Sequence, residues 1–345
     1  MERYEHGGDI FTNTGINLDF SVNLNPLGMP KAVVNVIRDK AESFAGYPDP
    51  KCRELVSAIA EHEGCPPEWI LCGNGADDLI FRLCQCLMPK KALLCSPTFS
   101  EYERAVHLSG GSTKYHKLSY EDTFLVSNRI LDDIGSDTDI VFLCNPNNPT
   151  GLLIDFNLLL KIAKKCWKAG ITLIIDECFL PFTDGSSAKE LLPDFDNIVI
   201  LKAFTKLYSM AGLRLGYMLT SNKNILKKTH DAAQYWSVST VAQAAGIAAL
   251  SCVEYVQETK KILRSEREFL ISRLSQMGLQ VIPSDANFLL IRSDVSLYEP
   301  LLSRGILVRD CSNFEGLNSD FIRICIKTRE ANEILLKNIK EVLYG

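Results

Sequence analysis

No stretch of the chain approaches the roughly 20 consecutive apolar residues that a membrane-spanning helix requires, so no membrane association is expected. A basic excess is missing too: 37 Lys plus Arg stand against 42 Asp plus Glu, a net charge of -5. Nucleic-acid binders normally carry the opposite balance, and the sequence predicts no such partner. Among 12 cysteines there is no Cys-x-x-Cys pair, and only Cys84 and Cys86 are closely spaced. Structural zinc sites present paired ligands two to four residues apart, so no metal is expected. Internal repeats and low-complexity tracts are absent, which excludes solenoids and long linkers. Behind the charged start Met1-Glu2-Arg3-Tyr4-Glu5-His6 comes no apolar segment of the secretory kind. The sequence therefore points to a cytoplasmic protein whose reduced cysteines act as small buried apolar residues.

What is present is ordinary globular material: 345 residues, 46% hydrophobic and 23% charged. That length suits a large domain plus a smaller one. From about residue 50 to 220, strand-like apolar runs alternate with helix-like periodic segments, the pattern of βαβ units. Strand candidates are Ala92 to Cys95, Ile140 to Cys144, Ile171 to Ile175, Ile198 to Leu201 and Leu215 to Leu219. The segment Leu158 to Lys168 sets Leu159, Ile162, Ala163 and Cys166 on one helical face with lysines opposite. Asp77 to Cys86 reads as a second helix. Beyond residue 222, Val238 to Leu274 predicts one or two long helices. Short strands near Val281, Phe288, Ile306 and Phe321 then alternate with helices near 295–303 and 329–343.

Four local signals carry chemistry. Gly73-Asn74-Gly75-Ala76-Asp77 leads into a helix, where small residues let backbone N–H groups approach an anion, or merely form a turn. Cys144-Asn145-Pro146-Asn147-Asn148-Pro149-Thr150-Gly151 follows a strand directly, at the end where open α/β sheets place ligands. Asp176 and Glu177 close an apolar strand, either as ligands for a cationic group or as helix caps. Lys206 lies between two apolar strands with Arg214 eight residues on. A desolvated lysine there is a candidate nucleophile and the arginine suits a phosphate, against the alternative of two surface cations.

Taken in order, these motifs resemble the pyridoxal-phosphate enzymes of the aspartate aminotransferase fold, in the branch of threonine-phosphate decarboxylases and histidinol-phosphate aminotransferases. The resemblance implies a three-layer α/β/α large domain with a mostly parallel seven-stranded sheet, plus a smaller α+β domain. We place an N-terminal arm and part of the small domain at 1–30, the cofactor-binding domain at 31–250 and the C-terminal small domain at 251–345. It implies pyridoxal 5'-phosphate bound covalently to Lys206. Thr205, Arg214 and the backbone at Ala76 and Asp77 would cradle its phosphate. Asp176 would pair with the ring nitrogen, Asn148 with the ring oxygen, and Phe99 would stack on the ring. Tyr47 would reach the cofactor of a neighbouring subunit, which implies a homodimer with shared sites. Two positions depart from the family pattern: Phe179 replaces a tyrosine after the aspartate, and Ala203 a serine before the lysine. Each missing hydrogen bond is worth about 1 kcal/mol.

For the substrate, a small phosphorylated amino acid, the resemblance implies Arg323 on the α-carboxylate and Arg309 on the phosphate. The alternative for Arg309-Asp310 is a local ion pair. His6-Gly7-Gly8, Asn25 within Phe20-Ser21-Val22-Asn23-Leu24-Asn25-Pro26-Leu27-Gly28, and Arg309 through Leu317 resemble threonine-phosphate decarboxylases more than the aminotransferases. Asp9 stands where that group usually has Asn. Three readings follow: a carboxy-lyase making aminopropanol phosphate for cobalamin, a histidinol-phosphate or related aminotransferase, and a non-catalytic cofactor-binding protein. The presence of Lys206 favours the enzymes.

Overall fold

The computed structural model describes residues 4–345. Strands are numbered along the chain from β1 (Leu18–Asp19). Seven form one large sheet: β2 (Ile70–Gly73), β3 (Lys91–Ser96), β4 (Ser112–Lys117), β5 (Ile140–Cys144), β6 (Thr172–Asp176), β7 (Ile198–Ala203) and β8 (Gly216–Leu219). Their spatial order is β2-β8-β7-β6-β5-β3-β4. From β7 to β4 every neighbouring pair is parallel, whereas β8 runs antiparallel to both of its neighbours.

The apolar runs become central strands because both of their faces are covered. Successive residues point to opposite faces. Leu143, Ile175 and Ile200 accordingly join one apolar layer, and Phe142, Ile174 and Leu201 the other. Helix Phe156–Ala169 lies on the first layer. Asp155 caps its start by accepting from the Leu158 amide at 3.0 Å, and Gly170, at φ 69°, ends it in the left-handed region. Leu159, Ile162, Ala163 and Cys166 are all fully buried, the face that their spacing predicts.

The remaining strands are β9 (Gln280–Val281), β10 (Phe288–Arg292), β11 (Ile306–Leu307), β12 (Arg309–Asp310) and β13 (Phe321–Cys325). Four of them form an antiparallel sheet in the order β12-β13-β10-β9. The fifth, β11, pairs in parallel with β1, so residues from both ends of the chain share one ladder. The predicted helical stretch from Val238 forms two helices, Thr240–Leu250 and Val253–Gln276, separated at Ser251-Cys252. Two strands of the large sheet escape the sequence reading. β4 is polar throughout and sits at the sheet edge, where no apolar run is needed. The other, β2, is only four residues long at the opposite edge. Among the described residues no helix is long and apolar enough to cross a membrane.

Candidate active site

The C-terminal ends of β3, β5, β6 and β7 lie side by side, and the chain leaves each of them through a segment carrying a predicted site residue. These segments enclose a cavity of about 250 Å³. Phe99 comes from the loop after β3, Asn148 from the loop after β5, Asp176 from the end of β6, and Thr205 and Lys206 from the turn after β7. Ala76, Asp77, Arg214, Arg309, Arg323, His6 and Gly7 complete the predicted part of its wall. Fourteen sequence positions were assigned to the site, and Asn25 and Tyr47 alone among them lie outside the cavity lining.

Helix Ala76–Leu87 begins at the cavity, so the unpaired amides of its first turn face it. A Cβ on Gly75, whose φ is 93°, would stand 2.8 Å from Arg214 Nη2. One on Gly216 would stand 2.5 Å from the Ala76 nitrogen. Small residues thus bring the helix start, β8 and Arg214 together. Arg214 is itself in the left-handed region at φ 56° and is open to solvent.

The Asn-Pro segment is held by its other asparagines. Asn145 Oδ1 accepts from the Ile154 amide at 2.8 Å, and Asn147 bonds Thr98, the Pro97 carbonyl and Thr150. Asn148 is left to face the cavity, its Oδ1 accepting from Arg323 Nη1. Arg323 also donates to the Ser21 carbonyl at 2.9 Å and lies over the Phe288 ring. Burial pulls its pKa down to about 10.

Asp176 is buried, with Oδ2 accepting from Tyr102 Oη at 2.7 Å and Oδ1 from the Cys178 amide at 2.9 Å. Lys206 is partly buried, and its amine has no hydrogen-bond or ion-pair partner among the described residues. Desolvation first, then the Arg323 guanidinium, lowers its pKa from the usual lysine range. Phe179 meets Phe288 edge to face at 5.0 Å, so no hydroxyl enters from that position. Cys144 and Cys178 also line the cavity, and burial pushes both thiols up, leaving them protonated.

Two predicted residues lie outside the lining of this chain's own cavity. Asn25 is buried, donating from Nδ2 to the Leu207 carbonyl at 2.8 Å and to Thr259 Oγ1 at 2.7 Å. Its amide donates to the Lys206 carbonyl at 3.2 Å, so it braces the backbone of the Lys206 turn rather than facing a substrate. Tyr47 is 80% exposed and stacks on Trp236 at 4.2 Å. Conversely, Tyr102 and Glu101 line the cavity without having been read from the sequence. They follow Phe99 at the start of helix Glu101–Leu108, where nothing local separates them from an amphipathic first turn.

The arm crosses the cavity. His6 Nε2 lies 2.7 Å from Glu101 Oε1, the His6 ring sits 5.4 Å from Phe99, and Arg309 donates to the Glu5 carbonyl at 2.7 Å.

The model of the aminotransferase class I and II family matches residues 16–339. The chain belongs to that family. It is 38% identical over 352 residues to a threonine-phosphate decarboxylase of Salmonella typhimurium, covering 99% of this chain and 97% of the relative. It is 32% identical to an adenosylcobalamin biosynthesis bifunctional protein of Leptospira interrogans, covering all of this chain and 42% of that longer one. Among solved structures, the histidinol-phosphate aminotransferase from Clostridium acetobutylicum superposes with a TM-score of 0.89 at 32% identity, covering 94% of this chain and 99% of that one.

As a member of this family the chain is a pyridoxal-phosphate-dependent enzyme, and the cavity fits that group. Asp77 Oδ1 and Arg323 Nε are buried there without a partner among the described residues. The Gly75–Ala76–Arg214 junction is shaped for an anion, and the Lys206 amine is left unpaired.

Proposed function

We propose that this enzyme decarboxylates a phosphorylated amino acid, threonine O-3-phosphate or a close analogue, to an aminopropanol phosphate of the kind used in cobalamin biosynthesis. The observation that carries the reading is the arm: His6 and Gly7 line the same cavity as Arg309 and Arg323. The local fit supports it. A Cβ at Gly7 would stand 2.4 Å from the Ser21 carbonyl oxygen, and the Gly8 amide donates to Ser21 Oγ at 2.7 Å, so this glycine pair seats the arm. Overall similarity to the Salmonella decarboxylase points the same way.

Pyridoxal phosphate, when bound, supplies an electron sink for a bond that breaks at the substrate's α-carbon. Arg214, Thr205 and the Ala76-Asp77 amides would hold its phosphate, Asp176 its ring nitrogen, Asn148 its ring oxygen and Phe99 its face. Arg323 pairs with the substrate's α-carboxylate, and its loss of solvent strengthens that pairing. Arg309 and His6 take the substrate's phosphate. Lys206, whose pKa is lowered by burial and by the Arg323 guanidinium, carries the proton to the α-carbon once CO₂ has left. The bond to the carboxylate breaks, one proton replaces it, and no keto acid is consumed. Tyr47 completes the site from a second copy of the chain, a role supported by its exposure.

The test is direct. Purified enzyme loaded with pyridoxal phosphate is given threonine O-3-phosphate without a keto acid, and CO₂ is measured. Release of CO₂ is expected. No CO₂, with amino transfer from histidinol phosphate to 2-oxoglutarate instead, overturns the proposal. That second reading is favoured by the superposition on the Clostridium aminotransferase.

A further inference from the structure

We infer that Glu101 is the residue that makes the cavity select phosphorylated over unphosphorylated amino acids, by positioning His6. This rests on reading the substrate as a phosphorylated amino acid. Glu101 is 3% exposed, although carboxylates are seldom so buried without a partner. Its partners are His6 Nε2 at 2.7 Å from Oε1 and Arg104 Nη1 at 3.2 Å from Oε2. Burial works to raise its pKa, but the contacts with His6 and Arg104 outweigh it, and the group is held below the ordinary carboxylate range. The acid is therefore an acceptor, with no proton of its own to give.

The consequence falls on the imidazole. With Nε2 bonded to Glu101, the ring presents Nδ1, which has no hydrogen-bond partner among the described residues, while His6 lines the cavity. A proton shared between Nδ1 and a phosphate oxygen can come from either partner, so the contact forms with a monoanionic or a dianionic phosphate. A substrate bearing a plain hydroxyl offers neither the charge nor the geometry. The charged groups around His6 come from every element packed on it. Glu101 and Arg104 belong to helix Glu101–Leu108, and Asp77 to helix Ala76–Leu87. Arg309 on β12 holds the adjacent Glu5 carbonyl. Asp77 has its pKa raised by burial and then by Glu101 itself, with Arg214 and His6 opposing that rise. The arm and the phosphate preference are thus one device.

The experiment compares wild type, Glu101→Gln, His6→Asn and the double variant, each loaded with pyridoxal phosphate and checked for its visible absorbance. KM and kcat are measured with threonine O-3-phosphate, alongside the inhibition constants of inorganic phosphate and of threonine. Glu101→Gln is expected to raise KM for the phosphorylated substrate and weaken phosphate inhibition by about ten- to a hundredfold. Threonine inhibition should stay within about twofold, and the double variant should be no worse than His6→Asn alone. The His6 Nε2 nitrogen resonance, assigned by its loss in His6→Asn, should move in Glu101→Gln. Equal losses for threonine and phosphate, or additive effects of the two substitutions, would overturn the inference. If Glu101→Gln fails to fold, His6→Asn must still show the selective loss, and its absence refutes the proposal equally. Should the enzyme prove to be an aminotransferase, histidinol phosphate against histidinol carries the same comparison, so the two readings fail separately.

Discussion

Two lysines four residues apart, Lys202 and Lys206, belong to clusters on opposite sides of the β6–β7 pair, and the clusters are built to opposite ends. On one side Lys202 Nζ lies 2.9 Å from both oxygens of Glu63 and 3.7 Å from Glu177. Glu63 also accepts from Tyr217 Oη at 2.5 Å and from Lys189 Nζ at 3.0 Å. Glu177 accepts from Ser187 Oγ and the Ala188 amide, both at 2.6 Å. Two ammonium groups meet two carboxylates. On the other side Asp176 is satisfied by Tyr102 and Cys178, while Lys206 and part of Arg323 are left without partners among the described residues. Glu177 and Asp176 are neighbours in extended backbone, so they point to opposite faces. Charge that is paired holds the strands together; charge that is left unpaired is available to a ligand. The pKa directions agree. Burial opposes the charge on Lys202, but Glu177 and Glu63 overcome it and raise the pKa, whereas at Lys206 burial and the Arg323 guanidinium outweigh the opposing pull of Cys178 and Cys325 and the pKa falls.

The largest test of that contrast exchanges which lysine is lost. Lys206→Ala should reduce turnover by at least about a thousandfold and abolish the covalent cofactor absorbance, with little change in melting temperature. Lys202→Met should do the reverse. It strands Glu63 and Glu177 and should cost about 3–5 kcal/mol by denaturant unfolding, while the folded fraction keeps its cofactor spectrum. Equal effects of both substitutions on the spectrum would remove the distinction.

Acid supplies the next test. Burial would raise the Glu63 pKa, but Lys202 and Tyr217 bring it down from 4.5 to about 2. A carboxyl depressed in the folded state stabilises above its unfolded pKa, and that stability is lost as pH falls through the folded value. About 3 kcal/mol should therefore disappear between pH 4.5 and 2, read as unfolding free energy against pH. In Glu63→Gln that part of the slope should vanish. The smallest expected effect is on the cavity side. Tyr102→Phe removes one hydrogen bond to Asp176 and should lower kcat/KM by about tenfold, without moving the acid limb of stability. A change in stability alone would assign Tyr102 to packing.

The readable part of the fold was the part with a single local cause. β5 matches its predicted bounds, Ile140 to Cys144, because a strand buried on both faces must be apolar from end to end. β4 could not be read because Ser112 to Lys117 pairs on one edge only, and its polar side chains suit the solvent there. The site divides in the same way. Asn148, Asp176, Lys206 and Arg214 stand in motifs whose residue types and order carry the chemistry. Asn25 stood in an equally suggestive Asn-Leu-Asn-Pro run, yet its side chain is committed to Leu207 and Thr259, more than 180 residues away along the chain. Glu101 had no signal at all, because an acid in the first turn of a helix is what the helix dipole favours in any protein.

The order of local motifs along the chain was enough to point, through their resemblance to a known family, to an α/β pyridoxal-phosphate enzyme with Lys206 and Asp176 as candidate central residues. Which charges are neutralised was decided only by folding. Glu63 reaches Lys202 from 139 positions away, Tyr102 reaches Asp176 from 74 and His6 reaches Glu101 from 95. Electrostatic pairing depends on distance through space in a medium of low dielectric, and no pattern of neighbours along a chain encodes it.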